Sequence, residues 1–227
     1  MNGRVGVGMK VLGICGSPVK GGNVENVLKV ALDAASEEGA ETELVTLAGK
    51  EIRGCKHCNW CVFKQTAEKF CSQDDDMNEI FPKLVAADAL IVATPVYFAR
   101  VSGQLANFID RTRVLVFGKT YRRCMKDKVG GAIAVGWLRH GGIETTLLSI
   151  GYWLLALEML PVSVHDTGNL FGAGVVSSLH GVGKFDPEDR LLALKDDFGL
   201  RGAKAVAKRV VELTRIVKAG KEALGQK

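Results

Sequence analysis

Four of the six cysteines fall in one stretch, at Cys55, Cys58, Cys61 and Cys71, and only Cys15 and Cys124 lie elsewhere. The first three follow a C-x2-C-x2-C spacing, Cys55-Lys56-His57-Cys58-Asn59-Trp60-Cys61. Packing does not explain such crowding of thiols. Steps of three residues along a tight loop turn several sulfurs toward one centre, as a cubane iron–sulfur cluster requires of its ligands. A structural zinc site usually draws two cysteines from each of two separate knuckles, so a third cysteine at the same interval suits zinc less well. Zinc and reduced thiols remain the competing readings.

Three further loops carry chemistry. Gly16-Ser17-Pro18-Val19-Lys20-Gly21-Gly22-Asn23 joins a predicted strand to a predicted helix, whose free N–H groups and dipole attract phosphate. Ser17 and Asn23 add hydrogen-bonding side chains, and Lys20 adds charge. It is no P-loop, because Gly-Lys-Ser/Thr does not close it. Nor does Gly6-Val7-Gly8-Met9-Lys10-Val11 supply a dinucleotide fingerprint, since it lacks the third glycine and precedes the strand. In the second loop, Thr94-Pro95-Val96-Tyr97-Phe98, two aromatic side chains would line a flat ring, while backbone groups near Pro95 and Val96 bond its edge. Aromatics at a strand end are also ordinary core residues. The third, Gly136-Trp137-Leu138-Arg139-His140-Gly141-Gly142, has glycines that allow backbone to approach a ligand, or simply permit tight turns. His140 reads as a surface or hydrogen-bonding residue, because no second histidine lies at ligand spacing.

The elements that must position these loops follow from the hydrophobic pattern. Strands are predicted at 10–15, 42–47, 89–94, 130–135 and 161–164, and helices at 24–35, 77–84, 103–112, 143–157 and 202–219. The acids Asp74, Asp75 and Asp76 cap the second helix; an EF-hand would need glycine where Glu79 stands. Strands alternating with helices predict right-handed βαβ crossovers and a doubly wound, five-stranded parallel sheet with helices on both faces. In such a sheet ligands bind beyond the carboxyl ends of the strands. One domain over 1–227 is expected, with the cysteine-rich segment as an insertion at about 54–73. The Gly- and Ser-rich stretch 167–195 is weakly patterned and reads as an excursion across a neighbouring subunit.

Composition narrows the function classes. With 47% hydrophobic and 24% charged residues the chain is an ordinary globular protein. Met1-Asn2-Gly3-Arg4 leads into no secretory apolar region, and the cysteines suit a reducing, cytoplasmic setting. Segment 147–164 is nearly all apolar but holds Gly151, Glu158 and Pro161, so it is a buried helix and a strand, with no membrane span. The net charge of +5 gathers in a C-terminal stripe, Lys204, Lys208, Arg209, Arg215, Lys218 and Lys221, which reads as a solvated helix face and not a nucleic-acid site. The helix bearing Ile150, Trp153, Leu154 and Leu157 is apolar nearly all round, so an oligomer that uses it is expected.

In order and spacing, these motifs resemble the flavodoxin-like NAD(P)H-dependent FMN reductase family, and the cysteine loop resembles that of its iron–sulfur flavoprotein branch. The matching segments are Gly16-Ser17-Pro18 with Asn23, the cysteine loop followed by Asp75-Asp76-Met77, and Thr94 to Phe98. Ser102-Gly103-Gln104-Leu105 with Phe108-Ile109-Asp110-Arg111, and Arg139-His140-Gly141-Gly142 with Glu144-Thr145-Thr146, complete the match. The resemblance implies a flavodoxin-like fold and FMN as prosthetic group. Ser17, Lys20 and Asn23 would serve its phosphate, Pro95, Val96, Tyr97 and Phe98 its isoalloxazine, and Gly136, Gly141 and Gly142 its pyrimidine edge. It also implies a [4Fe-4S] cluster on Cys55, Cys58, Cys61 and Cys71, NAD(P)H or ferredoxin as electron donor, a small-molecule acceptor, and a homodimer or homotetramer. The chain departs from the family at Val19 and Val24, where a basic residue and a hydroxyl are usual, and in the nine residues between Cys61 and Cys71. A redox-sensing or electron-carrier module, and a zinc-stabilised interaction protein, are the alternative functions.

Overall fold

The computed structural model describes residues 8–165 and 170–226. The Met1–Arg4 stretch, the first glycine of the Gly6–Val11 test and the start of the 167–195 segment lie outside the described residues. The strands are β1 (Lys10–Cys15), β2 (Glu41–Thr46), β3 (Ala89–Pro95), β4 (Val129–Gly136), β5 (Leu160–Pro161) and β6 (Ala173–Val176). All their pairings are parallel, in the order β2-β1-β3-β4-β5, with β6 also on β4.

The predicted fifth strand is thus divided. Val129 and Gly130 pair with Leu160 and Pro161, whereas Ile133–Gly136 pair with Ala173–Val176. Pro161 has no N–H for the ladder, and after the Val162 N–H bonds Gly130 the first partner gives way to the second. β6 comes from the stretch whose pattern was too weak to read.

The helices are α1 (Asn23–Glu37), α2 (Trp60–Lys64), α3 (Met77–Ala86), α4 (Gly103–Arg111), α5 (Arg113–Val116), α6 (Ile143–Ala156) and α7 (Asp197–Ala223). Alternating strand residues feed two cores. Val11, Ile91, Ile133 and Val175 pack with Val27 and Leu28 of α1 and Val206 and Val210 of α7. Leu12, Leu90, Val92 and Ala132 pack on the other face with Phe81, Phe108, Leu147 and Trp153. Each such Leu, Ile, Val or Phe contributes about 1.5–3 kcal/mol by leaving water. α7 begins five residues before its apolar pattern does. The Asp196 carboxylate caps it by accepting from Gly199 N–H at 3.2 Å, and it also accepts from Val176 N–H at 2.8 Å.

Ile150, Trp153, Leu154 and Leu157 are all buried within this chain. The outward face of α6 instead presents Tyr152 and Leu155. Among the described residues no helix is long and apolar enough to cross a membrane.

Candidate active site

The chain leaves β1 for β2 on one side, then returns past β1 to β3 on the other, so the crevice between the carboxyl ends of β1 and β3 is the switch point of the sheet. The first loop opens there. Gly16 must be small: a Cβ on it would stand 2.8 Å from Leu105 Cβ of α4. Ser17 is buried, and its hydroxyl accepts from Val19 N–H at 3.1 Å. Lys20 is exposed. No side chain caps the N-terminus of α1, which leaves its first-turn N–H groups open to an anion. Glu25 accepts from Gly21 N–H at 2.9 Å and pairs with Lys29 at 2.8 Å. Those two bonds, Gly21 first, hold its carboxyl below the usual range. The Asn23 side chain is turned away from the loop: it donates to Arg190 O at 2.8 Å and accepts from Ala193 N–H at 2.9 Å.

The second loop follows β3. Pro95 is buried at the strand end and Val96 N–H bonds Val135 O. Tyr97 and Arg100 close a two-residue turn with reciprocal backbone bonds. Its central residues, Phe98 and Ala99, both have positive φ, at 50° and 60°. Such turns ordinarily carry Asn-Gly or similar pairs, so Phe98 and Ala99 hold local strain. Phe98 is fully exposed and Tyr97 is 42% exposed. A strained turn that displays two aromatic rings at the switch point is the kind of outlier found at ligand clamps.

The third loop meets the second directly. Gly142 has φ +99°, and a Cβ on it would lie 2.5 Å from Ala99 Cβ, while Thr145 Oγ1 donates to Ala99 O at 2.7 Å. Gly141 N–H bonds Leu138 O, and Gly136 O accepts from Ser177 N–H. The 177–185 segment backs this loop through a Leu138–Val182 bridge, a Ser178 Oγ to Trp137 O bond and edge-on packing of Trp137 against Phe185 at 4.3 Å. The sequence pattern gave no sign of that support.

The cysteine segment leaves the same rim after β2. α4 grips its stem: Gln104 donates to Leu47 O, Asn107 to Ile52 O at 3.1 Å, and Arg111 to Arg53 O at 2.9 Å. His57 and Asn59, at φ 50° and 57°, supply the left-handed turns between the cysteines. The Gln65 side chain pins the far side with four bonds, to Phe70 O, Val114 O and the N–H groups of Thr120 and Tyr121. Phe70 stacks between Phe81 and Tyr121, at 5.2 and 4.2 Å.

Cys55, Cys58, Cys61 and Cys71 all border one cavity of about 20 Å³, together with Gln73, Arg111 and Arg113. Among the described residues, no three His, Cys, Asp or Glu side chains close on a single ion. Cys61 is buried whereas Cys55 and Cys58 face solvent. Burial pushes the Cys61 thiol up against the opposing pull of Arg113, and the bond with Ser72 at 3.3 Å holds the Cys58 thiol down. Arg111 is 1% exposed and grips Asp75 by two bonds, at 2.5 and 3.1 Å. Burial alone would raise the Asp75 carboxyl, but Arg111 with the N–H groups of Arg53 and Met77 holds it below the usual range. Two of the residues that line the cavity each hold a buried polar atom without a hydrogen-bond partner, Nε of Arg111 and Oε1 of Gln73. A buried N–H left open beside four thiols matches a group that presents sulfur acceptors, so the donor set fits an iron–sulfur cluster. Arg113 and Gln73 were not singled out in the sequence, and Arg111 entered only as the last residue of a matched segment with no role attached, because their roles depend on which side chains meet in space.

A concavity of about 1530 Å³ lies at the opposite, amino ends of the strands, around Met9, Asp88 and Lys128. Its charges are largely spent on one another, as in Lys218–Asp88 at 2.9 Å and Lys221–Asp127 at 3.2 Å. Size does not make it the site; none of the loops above reaches it.

The chain is similar to several known proteins. A protein named iron-sulfur flavoprotein from Methanocaldococcus jannaschii is 40% identical over 210 residues, covering 92% of this chain and 100% of the relative. One of the same name from Archaeoglobus fulgidus is 35% identical, covering 92% and 98%. Among solved structures, RosB superimposes with a TM-score of 0.72 at 16% identity, covering 93% of this chain and 81% of that one. A WrbA-like flavodoxin from Agrobacterium tumefaciens does so at 0.57 and 18%, covering 92% and 98%. At those identities the two structures speak for the doubly wound, flavodoxin-like fold alone. Residues 9–166 match the family described as NADPH-dependent FMN reductase, and with the relatives above this establishes that the chain belongs to that family and is a flavin-dependent oxidoreductase.

Proposed function

We propose that this flavoprotein couples FMN to a [4Fe-4S] cluster held by Cys55, Cys58, Cys61 and Cys71, and passes electrons from NAD(P)H or a reduced ferredoxin to a small-molecule acceptor. The observation that carries the reading is the cysteine cavity, with its open Arg111 Nε, joined by α4 to the loops over the β1/β3 crevice. α4 spans about 13 Å at 1.5 Å per residue, so the two sites lie close along one rigid element. The names of the relatives support the cluster as well.

When bound, FMN would supply hydride and single-electron chemistry and a cluster on the four cysteines would supply single-electron exchange. This chain's own residues do the rest. The uncapped N-terminus of α1, with Ser17 and Lys20, receives the phosphate. Asn23 contributes its backbone N–H, since its side chain is committed to Arg190 and Ala193. Pro95 and Val96 face the ring edge, and Tyr97 and Phe98 shield the ring from water. Gly136, Gly141 and Gly142 bring backbone to its pyrimidine side. No side chain is needed as an acid–base catalyst. We further infer a cytoplasmic homodimer or homotetramer with the Tyr152–Leu155 face of α6 at a subunit contact.

Anaerobic purification followed by FMN titration and an iron and acid-labile sulfide count tests this reading. Stoichiometric FMN with about four irons and four sulfides per chain is expected from the cluster type. Zinc without sulfide would sink the cluster. Stopped-flow reduction by NADPH and by reduced ferredoxin then identifies the donor.

A further inference from the structure

Two guanidinium groups face the cysteine cavity, and neither is used up by the rest of the protein. Arg111 spends Nη1 and Nη2 on Asp75 and Arg53, its buried Nε has no partner within hydrogen-bond distance, and among the cysteines it is Cys71 that acts on its charge. Arg113 is locked differently. Its Nη2 donates to Asn59 Oδ1 at 2.9 Å, its guanidinium carbon lies 5.4 Å from the centre of the Phe117 ring, and its Nη1 points at Cys61 Sγ at 3.8 Å. On a continuous helix, residues two apart point to different sides. Here α4 ends at Arg111 and α5 begins at Arg113, and the turn at Thr112 brings both side chains to one cavity. The fold thus breaks a helix where two cations are delivered to the four thiols.

We propose that Arg113, with Arg111 behind it, sets the reduction potential of the centre held by Cys55, Cys58, Cys61 and Cys71. This rests on the reading of those cysteines as a [4Fe-4S] site. One-electron reduction from the 2+ to the 1+ core adds a negative charge and consumes no proton. The potentials of such centres are set by net charge, by hydrogen bonds to the sulfurs and by solvent exposure. A fixed cation whose N–H lies on a ligand sulfur favours the electron-rich state, so it raises the potential. Cys55 and Cys58 already face solvent, so the arginines act on the buried side of the centre, at Cys61 and Cys71. Both are positioning residues: they touch the centre's ligands and hold its charge, and they transfer no electron.

The test uses full-length protein purified anaerobically, with the R113Q, R113K and N59A variants. Iron and sulfide are counted first, and the cluster midpoint is then measured by a redox titration followed by electron paramagnetic resonance. R113Q removes the cation, and its reduction equilibrium is expected to fall about tenfold, which is a midpoint about 59 mV more negative for one electron. R113K keeps the charge but loses the planar fork, and its midpoint is expected between those of wild type and R113Q. N59A removes the tether, together with an asparagine suited to the left-handed turn at that position, but keeps both cations, and it is expected to stay near wild type. A fully loaded R113Q with an unchanged midpoint overturns the proposal, and so does an N59A shift as large as that of R113Q. If R113Q assembles no cluster, R113K decides: a midpoint more negative than wild type supports the proposal, and an equal or higher one overturns it. Wild type without iron and sulfide fails at the earlier step and removes both readings together.

Discussion

The Ser102 hydroxyl donates to the Gly16 carbonyl at 2.6 Å and accepts the Leu105 N–H at 3.1 Å. One buried oxygen therefore caps α4 and fastens the first glycine loop to it. The other end of the same helix carries Arg111 into the cysteine cavity. Ser102→Ala should cost about 1 kcal/mol for the lost cap and about 1 kcal/mol for the bond to Gly16. Thermal unfolding measures the first effect. A weakened FMN titration with iron content preserved is the expected functional signature, because the bond to Gly16 lies on the phosphate side.

The Arg111–Asp75 pair should make stability depend on acid. The folded carboxyl titrates below its ordinary value near 3.8, so the unfolded chain takes up the proton first as pH falls. The pair's contribution is full above that ordinary value and disappears below it, as pH drops through the depressed folded value. Asp75→Asn strands a buried cation and should cost about 3–5 kcal/mol at neutral pH, with the difference from wild type shrinking under acid. Urea midpoints taken from pH 7 to pH 3 check this. A constant difference across that range would contradict it.

Phe98 and Ala99 carry strain that the fold does not need. Ala99→Gly should leave stability unchanged or raise it by about 0.5 kcal/mol, since glycine accepts the left-handed conformation and gives back part of that in chain entropy. Phe98→Ser should leave the melting temperature within about a degree, because the ring is fully exposed. Flavin affinity or NADPH turnover should nonetheless fall. A variant with normal turnover would show that the exposed ring has no part in the reaction.

Gly142→Ala should be the most damaging of the loop substitutions. It puts a side chain at φ +99° and drives a methyl into Ala99, so a loss of about 2 kcal/mol or more is expected. Loss of bound FMN should accompany it, because the second and third loops would part. Ala99→Gly in the same chain should restore at most a small part of both, because the Ala99 Cα, which the new methyl also meets, stays in place. Calorimetry on the two single variants and the double variant measures that coupling.

On α6, Tyr152 and Leu155 are exposed apolar residues on the face turned away from the core. If the proposed homo-oligomer uses this face, Tyr152→Glu with Leu155→Glu should give monomers without unfolding the chain. Light scattering at micromolar concentration reads the mass. A wild-type protein that is already monomeric would remove the subunit contact.

Much of this molecule was legible before folding. Short, β-branched apolar runs such as Ala89–Pro95 suit central strands, and each glycine-bearing loop follows such a run, so the sheet and the rim it exposes follow largely from local pattern. The C-x2-C-x2-C spacing likewise confines three thiols to one short stretch. Periodicity, however, speaks only of neighbours along the chain. It could not show that Asn23 would turn to Arg190 and Ala193, that β6 would finish an edge left by Pro161, or that the 177–185 segment would back the third loop. Nor could it show that Arg111 and Arg113 would meet the cysteines, because that depends on a helix breaking at Thr112 and on a segment anchored far away by Gln65. Hydrogen bonds and charges between residues fifty positions apart exist only once the core has fixed the distances, and those contacts are what turned a cysteine-rich stretch into a shaped cavity.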